Sequence, residues 1–113
     1  MTVLLVDTDV SRLRSTASLL RRVEPDILIM STVDPLTAAK YAVSNGVDML
    51  VANLNMKRMS GLRLCDFVRE IHPQASVCLL ASREEFADCP EVFDSSVHPV
   101  PFPLSEEAVR QLI

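Results

Sequence analysis

Short apolar runs alternate with segments of helical periodicity along this chain, and that alternation restricts its architecture more than any single residue does. "TVLLV" (2–6) is β-rich and apolar throughout, as in a strand covered on both faces, and it stops at "DTD". From Val10 the apolar residues Val10, Leu13, Ala17 and Leu20 recur at intervals of three and four, with Arg12, Ser15, Arg21 and Arg22 between them. Asp9 is placed to cap the resulting amphipathic helix. The block repeats. "DILIMS" (26–31) predicts a second strand, followed by a helix in which Asp34 caps, Pro35 suits the first turn and Gly46 suits a left-handed C-terminal position. "VDMLVAN" (47–53) predicts a third strand. After the loop "LNMKRMS" a helix runs from Gly61 to His72, stopped by Pro73, with Leu64, Cys65, Val68 and Ile71 on one face. "SVCLLA" (76–81) predicts a fourth strand.

Beyond Ala81 the alternation weakens. "SREEFADCPEVFDSS" leaves room for a turn or two of helix before Pro90 and another short turn after it. "SVHPV" (96–100) predicts a short fifth strand, its Pro99 favouring a sheet edge, and Ser105 caps a last helix supported by Glu106 and Glu107 at its positive end. Phe86, Phe93 and Phe102 are expected to fill the core beneath these short units.

Five such units predict an α/β fold: a three-layer α/β/α sandwich around a five-stranded parallel sheet, with flavodoxin-like topology, right-handed crossovers and a short fourth helix. In an open sheet of this kind a site forms where the C-terminal ends of the strands converge. Asp7, Thr8, Asp9, Asn53 and Ala81 are all delivered to that edge.

Length and composition fit one domain spanning residues 1–113. Lys+Arg 11 against Asp+Glu 15 gives a net charge of −4, so the basic excess needed for phosphate-backbone binding is missing, and no direct contact with nucleic acid is expected. Arg12, Arg14, Arg21 and Arg22 read as a solvated helix face, with a weak basic face as the alternative. Cys65, Cys78 and Cys89 lack metal-ligand spacing and are odd in number, and at least Cys65 and Cys78 fall in apolar runs where a thiol packs as a small hydrophobe, which fits a reducing, cytoplasmic setting. No stretch reads as an export signal or membrane span.

The order and spacing of "LLVDTD", "LVANLNMKRMSGLRL", "SVCLLAS" and "VPFP" resemble the receiver domain of bacterial response regulators over essentially the whole chain. In active receivers the first strand ends in two acids that help hold Mg²⁺, and the third ends in the aspartate that accepts phosphate. The fourth ends in Thr or Ser, and the fifth supplies a Lys before Pro. By this resemblance the acid pocket is reduced to Asp7, with Thr8 as its neighbour and Asp9 one residue late. The phosphoacceptor position falls on Asn53, a neutral amide that cannot attack phosphorus as a carboxylate does. The Thr/Ser position falls on Ala81, with Ser82 one residue late, the Lys position on Val100 and the aromatic switch position on Val97. The resemblance therefore implies a degenerate receiver, a "pseudo-receiver" within two-component (phosphorelay) signal transduction.

Asp7 is the single weak metal candidate, and no Mg²⁺ or other cofactor is expected, because Mg²⁺ is usually held by one or two carboxylates together with phosphate oxygens. Lys57 and Arg58 sit in the loop after Asn53, either as solvated loop charges, the commoner fate of long side chains there, or as a replacement cation for Asp7. His72 and His98 each precede a proline and pair with no nucleophile; Met56 and Met59 are expected to pack over the strand ends.

The expected function is a non-enzymatic signalling module that acts through protein contacts, by homodimerisation or by control of a tethered output domain such as a transcription regulator. The end of the chain early in a helix, at Ile113, is read as the N-terminal part of a longer regulator. The alternative is a phosphorylatable receiver that uses Asp7 or Asp9 with Mg²⁺. A nucleotide-binding enzyme is disfavoured, since Gly46 and Gly61 are the only glycines and no glycine-rich phosphate loop exists.

Overall fold

Along each central strand the apolar residues point alternately to opposite faces, so one strand feeds two cores. The computed structural model describes residues 1–113, apart from the side chain of Asp94. Strands β1 (Thr2–Val6), β2 (Leu28–Thr32), β3 (Met49–Asn53), β4 (Ser76–Ala81) and β5 (His98–Pro101) form one parallel sheet in the order β2-β1-β3-β4-β5. The connections are α1 (Val10–Val23), α2 (Pro35–Ser44), α3 (Gly61–Ile71), the short α4 (Arg83–Ala87) and a 3₁₀ turn at Pro90–Asp94, and α5 (Glu106–Leu112) follows β5. This is the expected α/β sandwich with a flavodoxin-like, receiver-type sheet.

One core gathers Leu4 and Val6 of β1, Leu50 and Ala52 of β3, and Val77 and Leu79 of β4 against Ala38 and Ala42 of α2 and Leu64, Cys65 and Val68 of α3. The alternate residues Val3, Leu5, Met49, Val51, Cys78 and Leu80 form the other core with Leu13, Ala17 and Leu20 of α1 and Val109 of α5. Burying a leucine side chain of this kind contributes about 1.5–3 kcal/mol, and the two cores together fix the register of the sheet.

Four sequence expectations are corrected. β2 begins at Leu28 rather than residue 26, because its register is set by β1, Thr2 opposite Leu28. β5 begins at His98 rather than residue 96, because the Ser95 hydroxyl donates to the Val92 carbonyl and accepts from the Val97 amide, holding the preceding residues in a turn. Gly46 adopts no left-handed conformation: no glycine has positive φ, and α2 ends through an extended Asn45. Phe93 is 62% exposed on the 3₁₀ turn, touching Phe86 edge-on, while Phe86 alone of the pair is buried.

The other glycine matters for closeness of approach. A Cβ on Gly61 would lie 2.2 Å from the backbone carbonyl oxygen of Asn53 and 2.7 Å from Leu79, so the start of α3 can press against the end of β3 only without a side chain there. The Gly61 amide donates to the Leu54 carbonyl at 2.9 Å, tying the two ends of the intervening loop together.

Candidate functional site

The site is built at the C-terminal edge of the sheet, where the last registered pair of β1 and β3 is Val6 opposite Ala52 and the next residues are Asp7 and Asn53. Asp7 is 2% and Asn53 3% exposed. A carboxylate so withdrawn from water needs a compensating partner.

Arg12 is that partner. Its Nε donates to Asp7 Oδ2 at 2.6 Å and its Nη2 to Asp7 Oδ1 at 2.9 Å, a bidentate, charge-assisted grip, and Oδ1 accepts a third bond from the Asp9 amide at 2.9 Å. The local cause is the helix cap. Asp9 accepts from the Arg12 amide at 3.1 Å, which places Arg12 in the first turn of α1, and helical side chains lean toward the helix N-terminus, here toward the end of β1. The face of the Phe102 ring lies 4.9 Å from the guanidinium carbon, so Arg12 is held between a carboxylate and an aromatic face. The hydrogen bond to Asp7 raises the Arg12 pKa above its ordinary value against the opposing cost of partial burial.

Asn53 is locked differently. Its Oδ1 accepts from the Asn55 amide at 2.8 Å, closing a tight side-chain turn. The Asn55 side-chain amide donates onward to the Glu85 carboxylate, whose other oxygen accepts from the Ser82 amide at 2.8 Å while Ser82 Oγ accepts from the Glu85 amide at 3.1 Å. This capping box starts α4. Chiefly through the bond from the Ser82 backbone, and further through the Ser82 and Asn55 side chains and the nearby Arg12 charge, the Glu85 carboxyl is held below the usual carboxylate range.

The remaining residues singled out in the sequence are distributed around this centre. Thr8 is exposed and Asp9 serves as the α1 cap, with its carboxylate 4.0 Å from the Arg12 guanidinium. Ala81 is fully buried and Ser82 is the cap of α4. Val97 is buried among apolar residues just before β5. Val100 packs into the core beneath α1 and α5, and the residue that β5 delivers to Arg12 is Phe102, whose amide donates to the Ala81 carbonyl at 2.9 Å. Arg58 bonds Asp34 at 3.3 Å, and Lys57 is exposed and in no salt bridge among the described residues, so the cation that meets Asp7 is neither of them. The loop carrying Lys57 and Arg58 is pinned at Asn53–Asn55 and at Gly61, which aims these long side chains outward.

Sequence reasoning left Arg12 among solvated arginines and Phe102 among generic core aromatics. A usable signal was present: Arg12 lies three residues past the cap Asp9 and five past Asp7, the spacing at which a first-turn side chain reaches back over the strand end. For Glu85 the signal was the Ser-x-x-Glu pattern at 82–85.

Divalent cation chemistry, which receivers employ, can be tested against the donors present. Asp7 spends both oxygens on Arg12, Asp9 is a helix cap, and Asn53 offers a neutral oxygen already bonded to Asn55. Among the described residues no group of three or more His, Cys, Asp and Glu side chains is arranged to hold a metal ion. A hard, strongly hydrated Mg²⁺ ion does not fit this set. The thiols of Cys65 and Cys78 are buried, which pushes both pKa values up and leaves them unreactive as nucleophiles or ligands. His72 Nε2 donates to the Ala42 carbonyl at 2.8 Å, a structural role. No helix among the described residues is long and apolar enough to cross a membrane.

No curated protein sequence matches this chain. Among solved structures it is similar to an uncharacterized protein from Neptuniibacter caesariensis, at 21% identity and TM-score 0.86 over 98% of this chain and 82% of that one. It is also similar to a response regulator receiver domain protein from Clostridium thermocellum, at 14% identity and TM-score 0.83 over 99% and 93%. A two component transcriptional regulator, AraC, from Clostridium phytofermentans superposes at 19% identity and TM-score 0.82 over 100% and 91%. At these identities the likeness is one of fold. The family description of the response regulator receiver domain, however, matches residues 3–100, from β1 into β5, and the chain belongs to that family.

Proposed function

We propose that this receiver domain transmits signals without taking phosphate at the end of β3, acting through protein contacts that control an output domain. The observation that carries the reading is the pairing of a neutral amide, Asn53, with an acid already neutralised internally, Asp7 held by Arg12. Phosphoryl transfer to a receiver needs a carboxylate nucleophile and a cation to offset charge on the incoming phosphoryl oxygens. Here the β3 position lacks the nucleophile, and the available positive charge is consumed by Asp7. Use of Asp7 itself as acceptor would require breaking two charge-assisted hydrogen bonds in a buried setting, and Asp9 would have to abandon the α1 cap. Both costs weigh against the phosphorylatable alternative.

The natural output is a domain on the same polypeptide, with this domain as the N-terminal regulatory part; a solved structure of similar fold is described as a two component transcriptional regulator, and self-association into a homodimer is a second contact mode. The net charge of −4 favours protein over nucleic acid as the direct partner, in a cytoplasmic regulator. Incubation with acetyl phosphate and Mg²⁺ followed by intact mass measurement tests the reading. The expected result is no phosphate adduct; a stoichiometric, acid-labile adduct overturns it.

A further inference from the structure

We infer that the Arg12 guanidinium is a built-in substitute for a divalent cation, and that it is the group that makes the pocket indifferent to Mg²⁺. The inference deepens the reading above at the same pocket and rests on it. Three observations carry it. First, Asp7 is 2% exposed, yet both of its carboxylate oxygens are engaged: Oδ2 accepts from Arg12, and Oδ1 accepts from Arg12 and from the Asp9 amide. Second, the guanidinium is fixed from two sides, by Asp7 in its plane and by the Phe102 ring against its face. A side chain merely solvated on α1 would not be sandwiched in this way. Third, its positive charge reaches beyond Asp7: Asp9 lies 4.0 Å from Nη1, and the charge also acts on Glu85 at the start of α4. One cation thus contacts acids from the β1 end and from the α1 cap.

The chemistry differs from that of a metal in one useful respect. A tethered guanidinium is permanently charged and cannot be diluted or chelated away. Asp7 is therefore held with a matching positive charge at every Mg²⁺ concentration. Phe102 is a positioning residue in this scheme, acting on Asp7 only through Arg12.

Removing the guanidinium should leave Asp7 and Asp9 with an unmet demand for positive charge that added Mg²⁺ can meet. The test is a Mg²⁺ titration at constant ionic strength of the full chain and of R12A, R12Q and D7N/R12A, followed by thermal midpoint and by the amide resonances of Asp7, Thr8 and Asn53. The expected result is a midpoint for R12A or R12Q that climbs by several degrees through the millimolar range with saturating amide shifts, and flat responses for the unaltered protein and D7N/R12A. The inference is overturned if the unaltered protein saturates in the same range, if R12A and R12Q show no Mg²⁺ response, or if D7N/R12A responds as they do. Failure of both single variants to fold at any Mg²⁺ concentration also counts against it. A phosphate adduct in the mass experiment would instead sink the functional reading, so the two failures are distinct.

Discussion

Arg12 meets Asp7 edge-on, Nε at 2.6 Å from one carboxylate oxygen and Nη2 at 2.9 Å from the other, with the acid side chain 3% and the guanidinium side chain 35% exposed. The pair joins the end of β1 to the first turn of α1, and through Phe102 it touches the chain just beyond β5.

Breaking that pair from one side should be costly. R12A leaves a buried carboxylate unpaired, and a loss of about 3 kcal/mol is expected in urea denaturation. The double variant D7N/R12A should be more stable than R12A, because the neutral amide no longer requires a counter-charge and can still accept from the Asp9 amide. Additive losses would show that the two side chains act independently.

Gly61 supplies a prediction at the neighbouring strand end. G61A places a methyl group 2.2 Å from the Asn53 carbonyl oxygen, so α3 must withdraw from β3. A loss of at least about 2 kcal/mol is expected, despite the better helix propensity of alanine. The Asn53 and Asn55 amide resonances should move with it, since the same short loop carries the hydrogen bond between them.

The acid side of the stability profile should report on Glu85. Its folded-state pKa is depressed, so its contribution is complete above the ordinary glutamate value, where the unfolded chain has also lost its proton, and it fades as pH falls through the lower folded value. E85Q should therefore flatten the fall in stability between mildly and strongly acidic pH, as read from thermal midpoints across that range. Asp34, lowered mainly by the Leu36 amide, keeps its own acid dependence in the variant.

Restoring a carboxylate at the end of β3 should not by itself restore phosphate acceptance. In N53D the new acid would lie beside an Asp7 already paired with Arg12, with Ala81 and Val100 at the positions to which the resemblance assigns a hydroxyl and an ammonium group. Intact mass after acetyl phosphate and Mg²⁺ treatment should show less than about a tenth of the chain modified, corresponding to a missing stabilisation of the kind that charge-matching groups give to phosphoryl transfer. Full modification would show that Arg12 is no obstacle.

The division between what was legible in the residues and what was not follows from the range of the interactions involved. Strand and helix positions, the caps Asp9, Asp34 and Ser105, and the arrival of Asp7 and Asn53 at one sheet edge are set by periodicity and by contacts within a few residues, so they can be read along the chain. The short β5 was misplaced by two residues because Ser95 bonds back to Val92, a turn that apolar patterning does not encode. Phe93 looked like core and lies exposed, because Val92 is the residue of the 3₁₀ turn that enters the core.

The pocket required the third dimension. The residues show a neutral amide where an acid is customary and several cations nearby in sequence, but which cation reaches Asp7 depends on the direction of the α1 axis as it leaves β1 and on the room left by Phe102. Lys57 and Arg58 are nearer to Asn53 in sequence, yet their loop is fastened at Asn55 and Gly61 and turns them outward, Arg58 to Asp34. Local chemistry chose the groups; long-range packing of the sheet against its helices chose which of them meet.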